Sequence, residues 1–363
     1  MKAWAGCCEF SLSVSFGIRF GDGWSGAVMT ELELIEDLAF RILRDGCGPV
    51  VRFRLLRDVL RVSSGSDELV DAQREMLKSR WVLELEGEQR DDGGWGRFHS
   101  AMKSEGKIAT TEAAVERGLA LGLEASDPVF RSAVGYLSGL LEGSADFPDP
   151  PEHNDRWSAG KRLFVASTLA RICPTSPILD KTWGLWAEIA ERAFSSGRYD
   201  SEAEIRAHQM LTGASVKDSY LVLSNRYQLA LLGSRASKLS RSLESALVDW
   251  VWHKEDGVSY LEIPLSNLSQ RFTAGMLDRL FTSLELLSCF PSWRGRNASN
   301  VIAWLWASRN SEGFWDFGPR ASMSIYFPLS ESWRTRKQRQ HDWSTRVLSL
   351  LRNFYNTPRV SCL

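Results

Sequence analysis

Proton transfer needs an acid and a base within reach of each other, and the stretch EQRDDGGWGRFHS, residues 88–100, holds both. Asp92 and His99 carry the relevant chemistry, because a carboxylate beside an imidazole can tune it as a general acid or base. The competing reading of the same two residues is a solvated loop acid and a helix cap. A second chemistry stands near the other end of the chain, where Arg334, Arg336, Lys337 and Arg339 follow Trp333. Guanidinium forks suit phosphate or diphosphate. An anion site built from Arg334, Arg336 and Arg339 therefore competes with a solvated linker ahead of the last helix. A third cluster, Asp149, Glu152, His153 and Asp155, has metal-ligating residue types. Its two prolines and the lack of a second ligand patch make it a surface turn.

The scaffold for these groups is a chain of 363 residues, 44% apolar and 25% charged, which suffices for a large single core. A net charge of −1 supplies no field toward nucleic acid or an anionic membrane. No apolar run approaches 18 residues, so no transmembrane segment is expected. The six cysteines, at Cys7, Cys8, Cys47, Cys173, Cys289 and Cys362, form no Cys-x-x-Cys pair, which fits a reduced, cytoplasmic chain without structural zinc. No nucleotide-binding loop, His-Glu-x-x-His or Gly-x-Ser-x-Gly motif occurs, so no cofactor motif is evident. Residues 1–28 read as an over-extended start, with Met29 opening the folded region 29–363 at MTELELIEDLAF.

From Met29 onward the apolar periodicity is helical. In DPVFRSAVGYLSGLLEG, Asp127 caps, Pro128 opens the first turn, and Phe130, Ala133, Val134, Leu137 and Leu141 share a face before Gly143 stops it. SPILDKTWGLWAEIAERAF repeats the pattern from Ser176 and Pro177. Further helices are expected near 30–44, 49–62, 67–79, 110–123, 157–173, 217–233, 239–250, 277–287, 295–308 and 343–355. The best strand candidate is only GVSYLEI, 257–263. About a dozen helices with short polar joints predict an all-α fold.

Fifteen tryptophans are many for this length, and two of them share a setting. Gln89, Gly93 and Trp95 form Q-x-x-x-G-x-W; Arg309, Gly313 and Trp315 keep the spacing, with Trp304 and Leu305 just ahead. His253 and Gly257 echo it more weakly, with Ser259 in the tryptophan place. A polar side chain can serve a helix end, a glycine can reverse the chain, and an indole can cover the turn. Gln89, Gly93, Trp95, Arg309, Gly313 and Trp315 thus read as a structural clasp.

This pattern resembles the QW repeat of squalene–hopene cyclases, oxidosqualene cyclases and protein prenyltransferases, over about residues 30–355. The resemblance implies a single-domain α/α toroid of paired inner and outer helices around a central cavity. It also implies an apolar or isoprenoid-type small molecule as ligand. The Asp-x-Asp-Asp acid of the cyclases does not occur in this sequence, and neither Cys173 nor Cys289 supplies the Asp-x-Cys spacing that, with a distant His, binds zinc in the transferases. Two functions follow as expectations. One is a divergent terpenoid cyclase or prenyltransferase-like protein. The other is a non-catalytic toroid scaffold that binds a peptide or protein partner. Carbohydrate chemistry would need two carboxylates facing each other across a cavity at roughly 5–9.5 Å.

Overall fold

The computed structural model of the protein describes residues 29–100, 106–215, 220–268, 272–319 and 326–356. The segment 1–28, set apart in the sequence, lies outside the described residues. Fourteen α-helices account for most of what is described: α1 (Glu31–Arg44), α2 (Pro49–Arg54), α3 (Asp67–Leu77), α4 (Arg80–Glu88), α5 (Thr111–Leu121), α6 (Pro128–Glu142) and α7 (Trp157–Ile172) in the first half. The second half holds α8 (Asp180–Ala193), α9 (Ser201–Thr212), α10 (Arg226–Gly233), α11 (Arg241–His253), α12 (Ala274–Leu287), α13 (Arg296–Ala307) and α14 (Arg336–Tyr355). Among the described residues there is no β-sheet, only isolated bridges. The strand candidate at 257–263 is a turn in which Gly257 pairs with Ile263 and Ser259 with Asn225. None of the described helices is long and apolar enough to cross a membrane.

Local signals set the helix ends. At α1, Thr30 accepts from the Glu33 amide while Glu33 accepts from the Thr30 amide, a reciprocal capping box. Two expected caps work differently. Asp127 stands at the N-cap position of α6, but its carboxylate turns away to accept from the Glu124 amide at 2.8 Å and from Gln73. Ser176 precedes a 3₁₀ turn, Pro177–Leu179, which leads into α8. The segment beyond α2 continues as a π-helical turn, Leu55–Val59, rather than as regular α-helix to residue 62. α9 has only a weak apolar stripe; its signature is Asp200 accepting from the Glu202 and Ala203 amides, with Gly213 left-handed at φ 69° at the other end.

Two kinds of helix result. α1, α6, α8 and α11 bury one stripe and show the other face to solvent. α7, α10 and α14 are covered nearly all round. α14 is the extreme case, because every residue from Gln340 to Leu351 is buried, including His341, Asp342 and Arg346. It also starts earlier than the sequence suggests, so Arg336, Lys337 and Arg339 belong to its first turns and not to a linker. One contiguous hydrophobic core runs from Ile35 to Leu351, which makes the described chain a single domain. Within it α10 packs on α7 and α12, α7 on α5, α6 and α8, and α14 on α1, α2 and the π-helical turn.

Candidate functional site

The QW-like turns come first, because they aim the residues that follow them. At the end of α4 the Gly93 amide donates to the Arg90 carbonyl at 2.8 Å, and the Arg90 amide to the Gly94 carbonyl at 2.9 Å. Gly93 sits at φ 90°, and a Cβ there would lie 2.3 Å from the Ser132 carbonyl oxygen, so only glycine fits. Gln89 donates Nε2 to the carbonyls of Gly93 and Val129, tying the turn to the start of α6. Trp95 is fully buried. Its indole donates to the Leu85 carbonyl at 2.8 Å, and its amide donates to Thr111 Oγ1, which donates back to the Trp95 carbonyl.

The second turn repeats the glycine and tryptophan bonds. The Gly313 amide donates to Asn310, and Asn310 to Phe314. The Trp315 indole donates to the Leu305 carbonyl at 2.7 Å, and the Trp315 amide to Ser344 Oγ, which returns the bond. The first position differs, since Arg309 bonds the Trp306 carbonyl of its own helix. In the third echo the Gly257 amide donates to Lys254, and Ser259 pairs with Ser224 by backbone and hydroxyl. Each turn therefore fastens a helix end to neighbouring segments.

From the first clasp the chain passes to Phe98, His99 and Ser100. The buried Asp149 carboxylate accepts from all three of their amides, at 2.7, 2.9 and 2.8 Å. Asp149 is thus committed to the loop and not to a metal. The Phe98 carbonyl accepts from the Glu112 amide, which sets His99 over the first turn of α5. There the imidazole stacks on Phe164, ring centroids 4.5 Å apart. His99 Nδ1 lies 2.8 Å from Glu112 Oε2, and the Tyr227 hydroxyl, from the first turn of α10, lies 3.1 Å from both atoms.

The electrostatics of this trio follow from its setting. Burial pushes the His99 imidazole down, but the hydrogen bond and negative charge of Glu112 outweigh it and raise its pKa above the ordinary histidine value. Burial and then the Glu112 charge lift the Tyr227 phenol well above its usual range, so it stays a neutral donor. The second carboxylate oxygen, Glu112 Oε1, is buried with no hydrogen-bond partner among the described residues. Beneath lies a cavity of about 20 Å³ lined by Glu112, Glu116, Arg171, Arg226 and Tyr227. Glu116 pairs there with Arg171 at 3.0 Å and with Arg226. The ion pairing continues on the helices packed nearby: Arg346 pairs with Asp278 and Glu285 and lies 3.9 Å over the Tyr326 ring, and Arg54 pairs with Asp58.

The remaining candidates go elsewhere. Asp92 does not partner His99; it accepts from Arg90 at 2.9 Å and from the Gly94 amide at 2.9 Å, within the clasp. Arg339 grips Asp316 with two bonds of 2.7 and 2.8 Å, Arg336 reaches the same carboxylate at 3.8 Å, and Arg334 is exposed. These three arginines therefore do not converge on a shared cradle. Of the DPPEHND cluster, Glu152 accepts from Asn154 and from Tyr220, and Asp155 from the Ser215 amide. No group of three His, Cys, Asp or Glu side chains among the described residues could hold a metal ion. Sequence reasoning missed Tyr227 as a partner of His99, since no local pattern joins residues so far apart. Glu112 had a modest signal, an acid in the first turn of a helix that Thr110 caps. No family model, curated protein or solved structure matches the chain.

Proposed function

We propose that the protein is an α/α toroid related to the terpenoid cyclases and prenyltransferases, serving as a scaffold for a peptide or protein partner rather than as an isoprenoid enzyme. Several observations support the ring. The two clasps share their indole bonds, helices with few exposed positions alternate with amphipathic ones from α4 to α8 and from α10 to α14, and α14 packs against α1 and α2. The single observation that carries the scaffold reading is how the interior is filled. α5, α7, α10, α12 and α14 contribute Glu112, Glu116, Arg171, Arg226, Asp278, Glu285 and Arg346, and the cavity among the first four is about 20 Å³. Ligand pockets run to several hundred Å³ and are mostly apolar. Opening such a space means separating these part-buried ion pairs, which opposes it.

The test is to incubate the full chain with prenyl diphosphates and with squalene, following products by mass spectrometry and binding by thermal shift. The scaffold reading expects neither product nor a raised melting temperature. A cyclised or prenylated product would restore the isoprenoid reading. One observation favours a second reading, acid–base chemistry on a small polar molecule beside His99. There the His99 imidazole and the neutral phenol of Tyr227 converge on Glu112, whose second oxygen has no partner among the described residues.

A further inference from the structure

The cations flagged in the sequence do not form one site, but part of that set joins residues from the other end of the chain. At the seam between α1 and α14 lies a groove of about 660 Å³, lined by Arg41 and Arg44 from α1, Arg336 and Lys337 from α14, and Phe314. Its charges are unequal. The carboxylates on the lining are Asp45 and Glu312, against four cations. Asp45 is met by Lys337 at 2.8 Å and by His341 at 3.1 Å. Burial holds the His341 imidazole below its ordinary range despite Asp45, so it adds a donor and no charge. Glu312 accepts from Gln340, a neutral partner. Arg41 gives one N–H to the Glu312 backbone carbonyl and keeps its charge, with its guanidinium 4.6 Å above the Phe314 ring. Arg44 is exposed and has no partner among the described residues. Arg336 shares Asp316 with the bidentate Arg339 and reaches it only at 3.8 Å.

Two positive charges are left over, held on opposite walls by two helices. We propose that this groove binds a phosphomonoester dianion carried on a peptide. The dianion matches the surplus charge, and guanidinium forks bond phosphoryl oxygens in pairs. The rim residues Arg44, Arg336 and Lys337 are exposed, so a chain can lie across the seam. The peptide as carrier rests on the scaffold reading above; the phosphoryl site does not.

The experiment titrates the full chain with a short phosphoserine peptide of neutral flanking sequence, its unphosphorylated twin and inorganic phosphate. The phosphopeptide binds about tenfold or more tighter than its twin, and Arg44→Glu and Arg336→Glu each weaken it by about tenfold. Added salt weakens it further. Both arginines are exposed, and unchanged circular dichroism of the variants shows that the fold is kept. Equal binding of the two peptides, or indifference to both charge reversals, overturns the site. Inorganic phosphate binding as tightly as the phosphopeptide overturns the peptide carrier. Neither result bears on isoprenoid turnover, which alone decides against the scaffold reading.

Discussion

Trp95 and Trp315 occupy equivalent settings, yet the chain that leaves each of them does different work. Both indoles are fully buried and donate to a leucine carbonyl in the last turns of the preceding helix, and both amides meet a hydroxyl on a later helix. After Trp95 the backbone is captured by Asp149 and delivers His99 to Glu112 and Tyr227. After Trp315 comes Asp316, taken at once by Arg339. The shared part is fastening. Whatever chemistry the molecule has is decided by what the fastened segments present.

That comparison can be broken most severely at the indoles. Trp95→Ala and Trp315→Ala each empty a buried site and strand a carbonyl, so each should cost about 3–5 kcal/mol in chemical denaturation. A markedly cheaper loss at one of them would mean the settings are not equivalent. The glycines sharpen the contrast. Gly93→Ala drives a Cβ into the Ser132 carbonyl and should cost about 3 kcal/mol or more. A Cβ at Gly313 would lie 3.5 Å from its nearest neighbour, Arg41 Nη1, so Gly313→Ala should cost only the left-handed backbone penalty of about 1–2 kcal/mol. At the first motif position Gln89→Ala removes two bonds, one to another helix, for about 1–2 kcal/mol. Arg309→Ala should cost less than about 1 kcal/mol, since Arg309 serves only its own helix and the Trp306 face.

The smallest effects are those of pH, and the two regions should answer in opposite directions. His99 has a raised folded pKa, so its pairing with Glu112 stabilises fully below the unfolded histidine value near 6.5 and is lost as pH rises through the folded one. Burial opposes ionisation of Asp316, but the Arg339 bond wins and lowers its pKa. Its contribution is present above the unfolded value of 3.8 and is lost as pH falls through the lower folded value. Melting curves across pH for Glu112→Gln and Asp316→Asn separate the two. The first should flatten only the alkaline limb, the second only the acid limb.

The helices and clasps were legible because their signals are local. Apolar periodicity marks one-sided helices such as α6, and the spacing of Gln89, Gly93 and Trp95 recurs at Arg309, Gly313 and Trp315. α14 was half hidden, because its buried face carries Asp342 and Arg346 as well as Leu348 and Leu351, and a periodicity argument takes charge for exposure. Those charges are tolerated inside only through partners on other elements, such as Asp278 and Glu285 for Arg346, and Leu329, Ser330 and Trp333 for Asp342. The same non-locality misdirected the site. Asp92 precedes His99 by a single turn in the chain, but its own arginine is nearer in space, and the acid that reaches His99 lies in the first turn of the next helix. The anion candidates were read from a run of arginines, whereas Arg336 and Lys337 face Arg41 and Arg44 from α1 across the groove.

Closure of the ring is the premise of this account, and the α1–α14 seam is where it can be measured. Asp45 and Lys337, far apart in the chain, stand 2.8 Å apart there. Zero-length carbodiimide cross-linking of the monomer, read by peptide mass spectrometry, should recover an Asp45–Lys337 amide that disappears in Lys337→Gln. An open superhelix would hold its two ends apart, and its monomer would yield local cross-links elsewhere but none between these two residues.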